Sequence, residues 1–313
     1  MLSDEGEIAR VARESYAWLA PHDPASAVRR ATVERGRTRA LLIGGTLLFL
    51  MLFLFIPLAA VFTEALRNGV GAYVQAIVQP EARSAIALTL LTAAVAVPLN
   101  LVFGIAASWL ITRFEFRGKN LLSAMIDLPL AVSPVIAGMI YVLLFGEQGW
   151  FGGWLAAHHI KVVFAVPGII LATTFVTCPF IARELIPVME AAGREEEEAA
   201  LTLGANGWQM FFRITLPNVK WGLLYGLVIC NARAMGEFGA VSVVSGHIRG
   251  LTNTMPLYVE ILYNSYDFAA SFAIASLLTL LALLTLAAKS LLARRARPAS
   301  EASPVHQSVK PAA

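Results

Sequence analysis

Long apolar stretches separated by short polar ones dominate this chain. Ala40 to Phe62, Ser84 to Thr112, Val162 to Ala182 and Phe268 to Ala288 contain no fully charged residue. Each reaches the roughly 20 residues that a helix needs to cross about 30 Å of hydrocarbon. Two further runs are interrupted by charge: Leu121 to Gly146 by Asp127, and Trp221 to His247 by Arg233 and Glu237. The pattern predicts six crossings. Because lipid offers no hydrogen bonds to exposed backbone, and because the runs lack the period-2 alternation of a barrel strand, the expected fold is an all-α integral membrane bundle.

The polar intervals set the expected orientation. With six spans and a cytoplasmic N-terminus, the inner side receives the N-terminal tail, Arg113 to Asn120, Arg183 to Lys220 and the C-terminal tail. These hold most of the Lys and Arg, including Arg10, Arg13, Arg29, Arg30, Arg35, Arg37 and Arg39, whereas the outer loops hold Arg67, Arg83, Lys161 and Arg249. This is positive-inside asymmetry, and it puts both termini in the cytoplasm. In the tail, Ile8, Val11, Ala12, Tyr16 and Leu19 fall near one helical face, which suits a helix on the inner leaflet, a helix packed on the bundle, or a loosely ordered extension. The first apolar run is too long for a signal h-region, so it is expected to be retained.

Composition agrees with a bilayer solvent: 58% of the 313 residues are hydrophobic and 14% are charged, against roughly 25% charged in soluble domains. The net charge of +3 is accounted for by topology and does not point to nucleic acid. Cys178 and Cys230 lie within predicted spans and read as free buried thiols. The chain contains no G-x-x-x-x-G-K-[ST] loop, no His/Cys/carboxylate cluster at metal-ligand spacing and no paired acid and base suited to hydrolysis. It is therefore expected to be non-catalytic, with no cofactor of its own.

The most informative segment lies between the fourth and fifth runs. It reads Glu195-Glu-Glu-Glu-Ala-Ala-Leu-Thr-Leu-Gly204 and continues, nine residues later, as Ile214-Thr-Leu-Pro217. Acids followed by Ala-Ala-Leu suit a helix whose N-terminus favours negative charge, and Gly204 can supply the positive φ that stops it. A second short helix, Gly207 to Arg213, should end before Pro217, giving a helix-turn-helix ahead of the fifth span.

Glu198-Ala199-Ala200, Gly204, Ile214, Leu216 and Pro217, at this spacing, resemble the EAA signature of bacterial ABC importer permeases. The likeness extends over roughly 40–292. Asp127-Leu-Pro-Leu-Ala-Val-Ser-Pro, Val176-Thr-Cys-Pro-Phe, Gly207-Trp-Gln-Met-Phe and the run from Asn231 through Gly236-Glu-Phe-Gly239 to Gly246 are similar to the sulfate and thiosulfate, CysW-type, branch. The Gly-Glu-Phe-Gly core also resembles molybdate permeases; its continuation through Ser242, Ser245, Gly246, His247, Ile248, Arg249 and Gly250 favours sulfate.

The resemblance implies a six-transmembrane-helix type I ABC importer permease in the bacterial inner membrane. Its domains would be a cytoplasmic tail over 1–39, a helical domain over 40–292 with a cytoplasmic coupling loop over 188–219, and a disordered cytoplasmic tail over 293–313. It also implies partners: a homologous permease of CysT/CysU type, a homodimeric CysA-type ATPase that carries ATP and Mg, and a periplasmic sulfate- or thiosulfate-binding protein. Glu198, Ala199, Ala200, Gly204, Ile214, Leu216 and Pro217 would dock the ATPase.

Transport chemistry has several candidate residues. Arg233 and Glu237, four apart on one helical face, either line or latch the pathway or form a static pair between helices, since a lone charge there costs about 2.5–3.5 kcal/mol. Ser133, Ser242 and Ser245 offer hydroxyls to a dianion or bond between helices. Asp127 reads as an interfacial cap or a partner for a basic group. His247 and Arg249 read as solvated loop residues or as contacts to a docked protein or the anion. An ion-coupled secondary transporter, with Asp127 and Glu237 as cation sites, is the alternative from another class.

Overall fold

A computed structural model describes residues 36–296, and all regular structure among the described residues is helical. The amphipathic tail segment and the C-terminal end read from the sequence lie outside them. The chain divides into two units, with the boundary between Ala59 and Ala60. The first apolar run forms α1 (Gly36–Leu50), a π turn (Met51–Phe55) and α2 (Ile56–Ala65), which together make an uninterrupted helical span over Thr38–Ala65.

In the second unit α3 (Gly69–Val78) leads into α4 (Pro80–Arg113), the 34-residue helix of the second expected span. The fourth span is α8 (Val166–Ala191) and the sixth is α14 (Phe268–Ala296), both long and apolar enough to cross a bilayer. Helices α4 and α8 pack with α11 (Leu216–Met235) around Ala93, Val97, Ile181, Leu185, Met189, Val219, Cys230, Ala234 and Met235. In lipid this association depends on close packing and not on water exclusion, so small residues at the contacts matter. A Cβ on Gly104 would lie 2.6 Å from Ile181 Cγ2, and one on Gly222 would lie 2.9 Å from Val188 Cγ2. One polar junction ties the three helices together: Asn100 Nδ2 donates to Thr177 Oγ1 at 2.7 Å, and the Cys230 thiol donates to the Thr177 carbonyl at 3.7 Å. Both cysteines are free; Cys230 is fully buried and Cys178 half-buried.

Two expected spans are broken. The third is split into α5 (Lys119–Ala131) and α6 (Pro134–Phe145), bent by 104° across Val132 and Ser133. Pro134 favours this, because its ring disfavours helical geometry at the preceding residue, and Ser133 adopts φ −57°, ψ 133°. The fifth expected span, Trp221 to His247, is not one helix: α11 stops at Met235, and a short α12 (Gly239–Val244) follows Gly236, Glu237 and Phe238. The two breaks are neighbours. A Cβ on Gly239 would lie 2.9 Å from Pro134 Cβ, and one on Gly138 would lie 2.7 Å from the Ala240 carbonyl oxygen.

The remaining elements are α7 (Gly152–Ala157), the two loop helices α9 and α10 treated below, and α13 (Met255–Asn264). Leu88 of α4, Ile169 of α8, Val241 of α12 and Leu257 of α13 form one layer, and the Met255 N–H donates to Thr89 Oγ1 at 2.8 Å. The segment after the second break is thereby fixed to the Pro80 end of α4.

Candidate functional site

The acidic stretch forms α9 (Glu195–Thr202), with all four glutamates in its first turn, where the helix dipole favours them. Gly204 follows at φ +86° in open space, so it stops the helix as expected. Asn206 then starts α10 (Gly207–Met210) through a reciprocal capping box: its side chain accepts from the Gln209 N–H at 2.8 Å, and its own N–H donates to Gln209 Oε1 at 3.1 Å. The expected break before Pro217 is absent. A π turn (Phe211–Thr215) carries the chain without interruption into α11, and Leu216 is helical at φ −64°, ψ −43°. Among the described residues, both π turns precede a proline by two residues, Pro57 and Pro217. The wider turn removes the need for the N–H that proline lacks.

Of the motif residues, Glu198, Ala199, Gly204 and Pro217 are exposed, Ile214 and Leu216 are half-buried, and Ala200 is buried. The sequence suits a loop that offers a few apolar side chains beside them, without saying which. Leu203 is 89% exposed, Trp208 74%, Phe212 56% and Leu201 50%, and the Trp208 and Phe212 rings stack at 5.8 Å. Sequence reasoning missed how the loop is held. Glu197, and not the motif's Glu198, is buried: its Oε2 lies 2.7 Å from Arg113 Nε, and its Oε1 accepts from Thr215 Oγ1 at 2.7 Å. Arg113 also donates to the Met189 carbonyl at 3.1 Å, Arg194 to the Thr112 carbonyl at 2.6 Å, and Asn218 to the Glu196 carboxylate. Two of the four acids are therefore spent inside the chain. Helical phase is the signal that distinguishes them, since Glu197 and Ala200, three apart, share the inward face.

At the paired breaks, Arg233 Nη1 lies 3.2 Å from Glu237 Oε2; the Glu237 side chain is 1% exposed and that of Arg233 39%. Glu237 Oε1 also accepts from the Ala240 N–H at 3.1 Å, so this carboxylate holds the start of α12 while pairing with the end of α11. Ser133 is exposed at the neighbouring break, and its hydroxyl makes no capping bond. The other two serines are tied into the backbone. Ser242 donates to the Gly239 carbonyl at 2.8 Å, and buried Ser245 accepts from the His247 N–H at 3.2 Å. Thus Arg233 and Glu237 pair at one break and Ser133 sits at the adjoining one, while Ser242 and Ser245 shape α12 and its exit. Asp127 pairs with Arg183 at 3.3 Å, both half-exposed. His247 lies 3.5 Å from Glu260, and Arg249 donates to Ser265 Oγ at 3.4 Å.

The chain is similar to known proteins. Residues 100–298 match the family described as "Binding-protein-dependent transport system inner membrane component". The chain is 52% identical over 238 residues to the sulfate transport system permease protein CysW of Escherichia coli K12, covering 76% of this chain and 82% of that one. It is 51% identical over 242 residues to CysW of Synechocystis, covering 77% and 88%. It is 39% identical over 236 residues to the sulfate transport system permease protein CysT of Escherichia coli K12, covering 75% and 85%. Among solved structures, a chain of a bacterial alginate ABC transporter in complex with an alginate-bound periplasmic protein aligns with a TM-score of 0.68, 18% identity, and coverage of 83% and 96%, which is a likeness of fold. With a family match over 100–298 and relatives 51–52% identical across about three quarters of its length, this chain belongs to the family of inner-membrane components of binding-protein-dependent transport systems.

Proposed function

We propose that this chain is a non-catalytic permease subunit of an ATP-driven importer that moves sulfate or thiosulfate into the cytoplasm. The observation that carries this reading is the loop between α8 and α11. There, Leu203, Trp208 and Phe212 stand exposed on a framework fixed by a buried ion pair and a capping box. Exposed aromatic and aliphatic side chains on a rigid support form the kind of anchor that fills a pocket on a partner. The partner is a homodimeric CysA-type ATPase, with ATP and Mg bound on that separate chain. A CysT-type permease would complete the membrane core and a periplasmic binding protein would deliver the anion, with both termini of this chain and the loop on the cytoplasmic side.

The relatives' names support sulfate, with molybdate as the related alternative. Arg233, Glu237 and Ser133 at the broken helices, together with Ser242 and Ser245, are the proposed gate and pathway. Non-helical backbone at membrane depth is tolerated where it lines a cavity or is buried in protein, and transporters commonly build their sites on such breaks. ATP-driven closure of the ATPases would then favour one of two permease conformations.

The test is co-expression with the ATPase, the second permease and the binding protein, followed by purification and reconstitution into vesicles. Leu203→Asp and Trp208→Asp are expected to lose the ATPase on purification, and the unaltered complex is expected to take up labelled sulfate only with ATP. Retention of the ATPase by both variants would refute the docking role. Uptake that follows an ion gradient without ATP would identify a secondary transporter, and competition by thiosulfate and molybdate ranks the substrates.

A further inference from the structure

Four stretches of the chain meet around one buried ion pair. Glu197 of α9 contacts Arg113 at the end of α4 through one oxygen and Thr215, the last residue of the π turn that leads into α11, through the other. Arg113 reaches in turn to the Met189 carbonyl near the end of α8, and Arg194, just ahead of α9, reaches back to the Thr112 carbonyl on α4. The side chains of Arg113 and Glu197 are 8% and 9% exposed, so the pair is largely shielded from water, and removing one partner leaves the other's charge uncompensated. Glu197 is not part of the exposed apolar ridge, and it is not an anchor of the sequence motif.

At its other end α4 is bonded to the segment that follows the second break, through Thr89 and the Met255 N–H. A single helix therefore joins the loop to that segment.

We propose that Glu197 is a positioning residue for coupling: it clamps the loop to the end of α4, so that displacement of the loop by the ATPase is passed to α4 and along it to the Thr89–Met255 contact. This rests on the ATPase-docking reading above. Without the clamp, the loop is still presented to the ATPase, but its displacement is absorbed by sliding against Arg113 and Thr215 and does not move α4.

The experiment uses the full reconstituted complex with binding protein and sulfate, and measures ATPase retention, ATP hydrolysis, and sulfate taken up per ATP hydrolysed. Glu197→Gln and Arg113→Gln are each expected to retain the ATPase and to lower uptake per ATP by roughly tenfold, within the usual range for a coupling interaction. The double variant should be no worse than either single variant, because both remove the same contact. Thr215→Val, which keeps the ion pair and removes only the hydroxyl donor, should give a smaller loss and decides the matter if the charge variants do not accumulate. An unchanged uptake-to-hydrolysis ratio in these variants overturns the proposal, as does a loss of ATPase retention in step with uptake, which would make Glu197 part of docking alone. If the unaltered complex itself fails to hold the ATPase, the docking reading is what fails.

Discussion

Replacing Gly138 with alanine tests whether the two helix breaks are held in contact. The added Cβ would sit 2.7 Å from the Ala240 carbonyl oxygen and 2.9 Å from Val243 Cβ, whereas ordinary contact begins near 3.4 Å. The first neighbour is backbone and the second a stiff branched carbon, so neither can swing aside; α6 and α12 must part by several tenths of an ångström. Overpacking of this kind costs about 1–3 kcal/mol. A matched control removes the effect of helix propensity, since Gly71 of α3 is also helical but has nothing within 4 Å of its Cβ position. The measurement is thermal unfolding in detergent, followed with a thiol-reactive dye that reports exposure of buried Cys230. At roughly 2–4 °C per kcal/mol for a domain of this size, Gly138→Ala should unfold several degrees below Gly71→Ala. Equal midpoints would refute the claim that the breaks abut.

Other substitutions probe the remaining polar contacts. Asn100→Leu removes the amide bridging α4 and α8; interhelical hydrogen bonds in membranes average about 0.6 kcal/mol, so the unfolding midpoint should fall only slightly, and a drop as large as that of Gly138→Ala would contradict this. Asn206→Ala deletes the side-chain half of the capping box, leaving its backbone N–H to donate to Gln209 Oε1; at a typical cost near 1 kcal/mol it should speed hydrogen exchange at Gln209 and its neighbours while leaving α4 unaffected. Glu237→Gln keeps an acceptor for the Ala240 N–H but removes the charge facing Arg233, so it should fold and assemble with sulfate uptake reduced. Full uptake in both Glu237→Gln and Arg233→Gln would end the gating role.

Much of the fold was legible because a bilayer imposes simple rules. A helix that crosses lipid needs an uninterrupted apolar run, and four such runs became continuous helices. Glycine at φ +86° ends α9 as its sequence required, since few other residues adopt that backbone at low cost. The two broken spans were less visible. Val132 and Ser133 carry no charge to mark a break, and the charges at Arg233 and Glu237 beside Gly236 interrupt the apolar run without saying whether the helix itself stops, so counting apolar residues reveals neither break. Proline was read too strictly at 217, where a π turn two residues earlier lets the helix continue.

The candidate site divides in the same way. The sequence by itself determined the loop's position between the fourth and fifth spans, its motif spacing, and the charges at 233 and 237, because these are properties of order along the chain. Only the tertiary structure decided that Glu197 is enclosed with Arg113 while Glu198 faces outward, that the break at Ser133 abuts the one after Met235, and that Ser242 and Ser245 serve their own backbone. The physical reason is that lipid and helix neighbours are equally apolar. Composition marks which segments leave water, and packing alone selects which face of each helix meets protein.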